Sequence, residues 1–200
     1  MTDGKRNNWD VRFDEERFFY GKEPNYFVAH KLPALEKGRG LFLAEGEGRN
    51  AVFAAGLGHE VVAVDNSFVG QRKALELADA RGMSIEYRFE DLTTGSWARE
   101  SWDFVVLCFA HMDPAIMPTV HCQVADCLAP NGRMIFLSFS KAQFGRKSGG
   151  PPRLDWLHDP SELEGQFPGL GLKVEEREVD LAESVGHTGP AMVIEITGSK

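Results

Sequence analysis

A loop of small residues between an apolar run and a helix-forming run could bind a nucleoside cofactor. Residues 41–43 are apolar, and the loop that follows contains Ala44, Gly46 and Gly48. Such a loop between a strand and a helix lets the backbone approach a nucleotide-like ligand closely. Asp65 ends the next apolar run, about 20 positions after Gly46, where a carboxylate can bind the two hydroxyls of a ribose. The spacing therefore indicates a cofactor that contains a nucleoside.

The charges in this loop distinguish between two such cofactors. Gly46, Gly48 and Ala51 also fit the G-x-G-x-x-A pattern of dinucleotide-binding loops. A dinucleotide places its pyrophosphate at a helix N-terminus, where free N–H groups attract an anion, but Glu45 and Glu47 would repel it. S-adenosylmethionine has no phosphate and carries a cationic sulfonium and ammonium. The acidic loop favours S-adenosylmethionine; an NAD-dependent oxidoreductase and a non-catalytic module that binds S-adenosylmethionine are the alternatives.

Two histidines are candidates for acid–base chemistry. Methyl transfer from a sulfonium is an in-line displacement, to which an enzyme contributes mainly alignment and desolvation of the nucleophile. A thiolate or an oxyanion needs no base, whereas a neutral acceptor could use His111 or His187, because histidine titrates near neutral pH. A structural role is the alternative for each. No histidines or cysteines stand at zinc-ligand spacing, so we expect no metal.

Apolar periodicity predicts the elements that must position these residues. Apolar and amphipathic runs alternate from residue 41 to residue 139, the pattern of a doubly wound α/β fold with a parallel sheet. The predicted strands are 41–44, 60–64, 85–89, 103–109 and 133–139, with helices at 25–32, 49–57 and 67–82, one opened by Asp113 and Pro114, and one opened by Asp159. Two further strands, near 172–179 and 191–197, should form an antiparallel pair.

Length and composition limit the class of protein. With 200 residues and 42% hydrophobic content, we expect one domain over residues 1–200, with residues 1–8 disordered and the aromatic-rich residues 9–20 packed on it. The net charge of -8 argues against a nucleic-acid binder and favours a small-molecule substrate. No run resembles a signal peptide or a membrane helix, and the three cysteines form no C-x-x-C pair. We therefore expect a cytoplasmic protein, monomeric or homodimeric, without a membrane partner.

Four segments together resemble one family of enzymes. They are residues 20–25, 45–51, 149–151 and 187–189. With the acid after the second strand and the late strand pair, they are similar to class I S-adenosylmethionine-dependent methyltransferases, and more narrowly to the tellurite-resistance and thiopurine methyltransferase group. The resemblance covers nearly the whole chain. It implies a mainly parallel seven-stranded sheet with an antiparallel C-terminal strand, and methyl transfer to a small acceptor such as tellurite or another oxyanion, a thiol or a thiopurine.

The resemblance also implies roles for particular residues. It assigns backbone contacts with the methionine and ribose parts to the loop, the ribose hydroxyls to Asp65, the adenine to the residues after the second and third strands, and the cofactor carboxylate to Arg49. A turn cap is the alternative for Asp91, plain core for Phe109 and an exposed position for Arg49. The cofactor-binding residues implied are Tyr20, Ala44, Glu45, Gly46, Gly48, Arg49, Asp65, Asn66, Asp91, Leu92 and Phe109.

Two positions depart from the class pattern. Phe42 stands where the first strand usually carries an acid, and Ala44 replaces the first loop glycine. Because alanine disfavours a positive φ, we expect the turn to pass Ala44 in ordinary geometry. Glu45 could take over the orienting role of the missing acid, or could be a plain surface residue.

A basic glycine-rich segment, residues 140–158, interrupts the alternation of strands and helices. It contains Lys141, Arg146, Lys147 and Arg153. It is either a solvated connector or a lid that attracts an anionic acceptor into an otherwise acidic protein. Arg146 and Arg153 are accordingly candidate substrate-binding residues.

Overall fold

The computed structural model describes residues 7–200, in which seven strands form one sheet in the order β3-β2-β1-β4-β5-β7-β6. The first five strands in the chain are parallel, and β7 is antiparallel to both of its neighbours. The strands are β1 Arg39–Leu43, β2 Glu60–Asp65, β3 Glu86–Phe89, β4 Trp102–Cys108, β5 Leu128–Phe139, β6 Gly171–Glu183 and β7 His187–Ser199. The predicted doubly wound α/β sheet with an antiparallel C-terminal strand is confirmed.

Helices cover both faces of this sheet. They are α1 Asn8–Phe13, α2 Tyr26–Lys31, α3 Arg49–Gly56, α4 Phe68–Ala80, α5 Met117–Cys127 and α6 Pro160–Leu163. Successive residues of a strand point to opposite faces, so Leu41 and Leu43 pack with the helix α5 side, whereas Phe42 packs with α2, α3 and α4. Phe42 is fully buried in that second layer, against Phe104. A carboxylate at this position would lose its hydration among apolar side chains, whereas phenylalanine is buried there without that cost.

Several element boundaries differ from the prediction. Asn25 and Ser67 cap α2 and α4 as expected, but α5 begins at Met117, because Asp113 and the residues after it form a separate turn. Both C-terminal strands are longer than predicted. Residues 1–6 lie outside the described part of the chain. The expected disorder of residues 7 and 8 is wrong, since the Asn7 side chain accepts a hydrogen bond from the N–H of Asp10 and caps α1.

None of the helices within residues 7–200 combines the length and the apolar character needed to cross a membrane.

Candidate functional site

A cavity of about 870 Å³ lies where the carboxyl ends of the central parallel strands meet. Parallel sheets place ligand sites at this edge, where the strand order changes direction, and the cavity falls within the roughly 300–1,000 Å³ typical of ligand pockets. Of the predicted cofactor-binding residues, only Gly48 is absent from its lining. The lining includes Tyr20, Ala44, Glu45, Gly46, Arg49, Asp65, Asn66, Asp91, Leu92 and Phe109, together with His111 and His187.

The loop between β1 and α3 has left-handed backbone geometry at three positions. Ala44 has a φ of +53°, Gly46 of +58° and Gly48 of +83°. The expectation that Ala44 passes the turn in ordinary geometry is therefore wrong, and this alanine carries backbone strain at the ligand pocket. Gly48 serves packing, because a Cβ there would lie 2.4 Å from the Cβ of Ala74. Its place in the sequence pattern thus reflects the close approach of α3 to α4.

Glu45 is buried and caps the N-terminus of α3. Its Oε1 accepts hydrogen bonds from the N–H groups of Asn50 and Ala51, each over 2.8 Å. The alternative of a plain surface residue is wrong, and the carboxylate orients the loop in the absence of a strand acid. Burial raises the pKa of Glu45 to about 7. Because Glu45 occupies the amides that a pyrophosphate would need, a dinucleotide would have to displace it.

Glu47 contributes less to the preference for S-adenosylmethionine over a dinucleotide than its charge suggested. Its carboxylate pairs with the buried ammonium of Lys73 and accepts a hydrogen bond from the N–H of Phe19 over 2.7 Å. The sequence argument that both glutamates repel a phosphate is therefore corrected. Glu47 is compensated by an opposite charge, and the discrimination depends on Glu45.

Asp65 ties the end of β2 to the loop. One carboxylate oxygen accepts the N–H of Gly46 and the other accepts the N–H of Ser67, both over 2.9 Å. Burial raises the pKa of Asp65 to about 6. After β3, Asp91 accepts the N–H of Thr93 and so caps a turn, the alternative role predicted for it. The same residue also lines the pocket.

Arg49 is buried on the first turn of α3. Its guanidinium donates to the carbonyl of Tyr20 over 2.9 Å and to Oε2 of Glu183 over 3.0 Å. The alternative of an exposed arginine is wrong. Its positive charge is already compensated by a carboxylate within the protein.

His187 lies among aromatic rings in the pocket. Ring centroids of Tyr20 and Phe109 are each 4.5 Å from its own, and that of Phe139 is 5.1 Å away. Its Nδ1 is 2.8 Å from Oε2 of Glu183. Burial lowers the pKa of His187, despite the opposing effect of Glu183, and so favours the neutral imidazole. Phe109 has a φ of +56° and stacks on Phe139, so it belongs to both the core and the pocket lining.

His111 has protein partners on both ring nitrogens. Its Nδ1 is 2.9 Å from the carbonyl of Trp156, and its Nε2 accepts the N–H of Phe139 over 3.3 Å. Burial lowers its pKa to about 4. It lines the pocket, but the geometry favours the structural alternative for this histidine.

The basic segment divides into a part that reaches the pocket and a part that does not. Gly149, Gly150 and Trp156 line the cavity. Arg146 and Arg153 are absent from the lining, and they pair with Glu178 and Asp155 respectively. The structure therefore does not bring the two predicted substrate-binding arginines to the site.

Several pocket residues were not singled out by the sequence. Trp9, Phe13 and Phe19 come from the aromatic N-terminal stretch, which was expected only to pack on the domain. The Glu-x-x-x-His spacing of Glu183 and His187 was visible, but a pairing of their side chains follows only from the β6–β7 register.

Comparisons with known proteins agree with this architecture. Residues 41–132 match the family model described as a methyltransferase domain. No curated protein matches the sequence. Among solved structures, TehB from Haemophilus influenzae has a TM-score of 0.73 at 15% identity, over 88% of this chain and 62% of its own.

Two further structures have the same fold. An S-adenosylmethionine-dependent methyltransferase from Methanosarcina mazei has a TM-score of 0.68 at 14% identity, over 89% of this chain and 98% of its own. A structure concerned with the conversion of a disulfide bond into a thioacetal group in echinomycin biosynthesis has a TM-score of 0.71 at 18% identity, over 92% of this chain and 86% of its own. The chain has the Rossmann-like fold of these structures, and the methyltransferase-domain model that matches residues 41–132 indicates an enzyme that uses S-adenosylmethionine.

Proposed function

We propose that this enzyme methylates a small, neutral acceptor bound beside His187, with thiols and thiopurine-like heterocycles favoured over tellurite-like oxyanions. The observation that carries the proposal is the position of His187, which lines the pocket, pairs through Nδ1 with Glu183 and lies among aromatic rings. A neutral imidazole can accept a proton, and aromatic rings stack on planar heterocycles.

The charges of the pocket lining support a neutral acceptor. The positive side chains in the lining are Arg12 and Arg49, and the negative ones are Glu45, Glu47, Asp65, Asp91 and Asp113. Arg49 is compensated by Glu183, and Glu47 by Lys73, so Arg12 faces four carboxylates that lack such a partner in the lining: Glu45, Asp65, Asp91 and Asp113. An excess of carboxylates attracts the cationic cofactor and repels an anionic acceptor. Oxyanions and already ionised thiolates, which need no base, are the contrasting acceptors in the assay.

The rest of the pocket suits the cofactor. We assign the ribose hydroxyls to Asp65 and the adenine to Asn66, Asp91 and Leu92, all of which line the same cavity as the loop residues Ala44 and Gly46. When bound, S-adenosylmethionine supplies an electrophilic methyl group on a sulfonium. The protein's own residues align the acceptor, exclude water and accept a proton. Tyr20 and Phe109 lie beside His187 and line the same cavity as the cofactor loop.

Calorimetry and a turnover assay together test this proposal. We expect S-adenosylhomocysteine and S-adenosylmethionine to bind and NAD to bind much more weakly. Tighter binding of NAD would favour the oxidoreductase alternative. Release of S-adenosylhomocysteine should depend on an acceptor, in a panel containing an aromatic thiol, a thiopurine and tellurite. Cofactor binding without turnover of any acceptor would favour the non-catalytic module.

His187→Gln separates binding from catalysis. For a neutral acceptor we expect kcat to fall by about 10²–10⁴-fold with little change in cofactor affinity, the range typical of a lost general base. His30→Gln is the matched control, because His30 is an exposed histidine outside the pocket. Unchanged kcat for every neutral acceptor in a folded His187→Gln protein would remove His187 from the mechanism.

A further inference from the structure

Glu183 connects His187 with two helices around the pocket. It is the last residue of β6 and lies opposite His187, the first residue of β7. Its side chain is 8% exposed. Oε2 contacts Nδ1 of His187 over 2.8 Å and Nη2 of Arg49 over 3.0 Å, while Oε1 accepts a hydrogen bond from Nδ2 of Asn25 over 2.5 Å.

The two partners that hold Glu183 are themselves fixed. Asn25 is fully buried; its Oδ1 accepts the N–H of Phe27 at the start of α2, and its own N–H donates to Oδ1 of Asn50 over 2.9 Å. Arg49 donates to the carbonyl of Tyr20 from its other terminal nitrogen. The carboxylate of Glu183 therefore has a defined orientation, set by contacts from α2 and α3.

The two nitrogens of His187 have different surroundings. Nδ1 faces the carboxylate of Glu183, an acceptor of hydrogen bonds only, so a neutral imidazole must carry its proton on Nδ1. Nε2 has no hydrogen-bond partner among residues 7–200, and His187 lines the cavity. The lone pair is thus on the nitrogen that the protein does not use.

We propose that Glu183 is a positioning residue that holds His187 as the Nδ1–H tautomer, so that Nε2 is the nitrogen that removes the acceptor's proton. This inference rests on the proposed function. In the reaction, Nε2 takes the proton from an S–H, N–H or O–H group while the acceptor's lone pair forms the bond to the methyl carbon. The electrons of the broken carbon–sulfur bond stay on sulfur and give S-adenosylhomocysteine. Glu183 stabilises the imidazolium that results.

The charged and titratable groups around His187 act in opposite directions. Burial lowers the pKa of His187, the carboxylate of Glu183 raises it, and the cations of Arg49 and Arg12 lower it. The ring of Tyr20 packs on the imidazole of His187. When His187 is protonated, its positive charge lowers the pKa of His111. Burial raises the pKa of Glu183, but the hydrogen bond from His187 and the charge of Arg49 outweigh burial and keep it at about 2. Glu183 is therefore ionised at neutral pH.

The test is the tautomer and titration of His187, measured by NMR on the full chain with labelled histidine. The His187→Gln protein identifies the resonance. In the wild type we expect Nδ1 to be protonated and Nε2 to be unprotonated at pH 8. In Glu183→Gln, the pKa of His187 should fall by about 1 pH unit, since a neighbouring opposite charge is lost. In Arg49→Met it should rise, because a neighbouring like charge is lost.

Opposite shifts in these two variants distinguish a positioning carboxylate from a general loss of folding, which would move both proteins towards the titration of an exposed histidine. Glu175→Gln, an exposed glutamate on the same strand, is the control and should leave His187 unchanged. Turnover of a neutral acceptor should be slower in Glu183→Gln. The acidic limb of its pH–rate profile should lie at lower pH than in the wild type.

An Nε2–H tautomer in the wild type, or an unchanged His187 pKa in folded Glu183→Gln, would overturn the inference. The NMR result does not depend on turnover. If His187 behaves as expected but no acceptor is methylated, the proposed function fails while the positioning by Glu183 stands.

Discussion

Oε1 of Glu45 accepts a hydrogen bond from the backbone N–H of Ala51 over 2.8 Å. The loop that precedes α3 therefore supplies its own anion to the helix N-terminus, where a dinucleotide-binding loop would place a phosphate. The same carboxylate lines the cofactor cavity. One residue thus links the choice of cofactor to the capping of the helix.

Cofactor affinity should depend on pH through Glu45. Its pKa is raised to about 7 by burial, so it changes from neutral to anionic between about pH 6 and 8. An anionic Glu45 attracts the sulfonium, and we expect affinity for S-adenosylmethionine to increase roughly three- to tenfold over this range. Affinity for S-adenosylhomocysteine, which lacks the sulfonium charge, should change less.

Calorimetry at several pH values measures this difference. Glu45→Gln should remove the extra pH dependence seen with S-adenosylmethionine, whereas the exposed Glu60→Gln should preserve it. Equal pH dependence for both ligands in the wild type would contradict a role for the Glu45 charge.

Two substitutions separate the proposed roles of Asp65. Asp65→Ala should weaken S-adenosylhomocysteine binding by about 1.5–3 kcal/mol, because it removes a charge-assisted contact with ribose and the acceptor for the N–H of Gly46. Asp65→Asn can still accept that N–H and should retain more of the loop's stability. Calorimetry and thermal unfolding of both variants check this, and unchanged affinity in folded Asp65→Ala would remove Asp65 from the site.

Backbone strain at Ala44 should be relieved by glycine. A left-handed φ costs an L-residue about 1–2 kcal/mol, and glycine loses about 0.5–1 kcal/mol in entropy on folding, so we expect Ala44→Gly to be neutral or up to about 1.5 kcal/mol more stable. Ala44→Val should be destabilising. Gly48→Ala should also destabilise, since its Cβ would meet Ala74. Denaturant unfolding measures all three, and a clear loss of stability in Ala44→Gly would contradict the strain.

Buried histidines should make the fold sensitive to acid. Burial lowers the pKa values of His111 and His121 to about 4 and that of His158 to about 2. The Nε2 atoms of His121 and His158 are buried without a hydrogen-bond partner among the described residues. Because the unfolded chain binds protons at these histidines below about pH 6.5 while the folded chain does not, stability should fall as pH decreases from 6.5 towards 4.

His121→Gln tests this acid dependence. Its plot of unfolding free energy against pH should be shallower than that of the wild type below pH 6.5, by up to about 1.4 kcal/mol per pH unit. Glu45 and Asp65 have pKa values raised to about 7 and about 6, respectively. Each therefore contributes stability at low pH that is lost as pH rises through its own pKa. This opposite contribution is present in both proteins and cancels in the comparison. Parallel curves, with exposed His30→Gln as control, would contradict the prediction.

Much of the fold was predictable because local signals and global packing agree. The caps at Asn25 and Ser67 and the continuous apolar run of β4 are both visible along the chain. The start of α5 was predicted too early because a turn held by Asp113 has the same local signals as a helix cap.

The amino-acid sequence by itself determined the order of strands and helices, the small-residue loop and the acid that ends β2, because these depend on periodicity and spacing between near neighbours. Only the tertiary structure decided that Ala44 adopts a left-handed backbone, that Arg146 and Arg153 lie away from the pocket, and that Arg49 meets a glutamate 134 positions away. Such ion pairs and strained angles depend on how distant segments pack. A buried charge takes whichever partner the fold places beside it, and spacing along the chain carries no information about that partner.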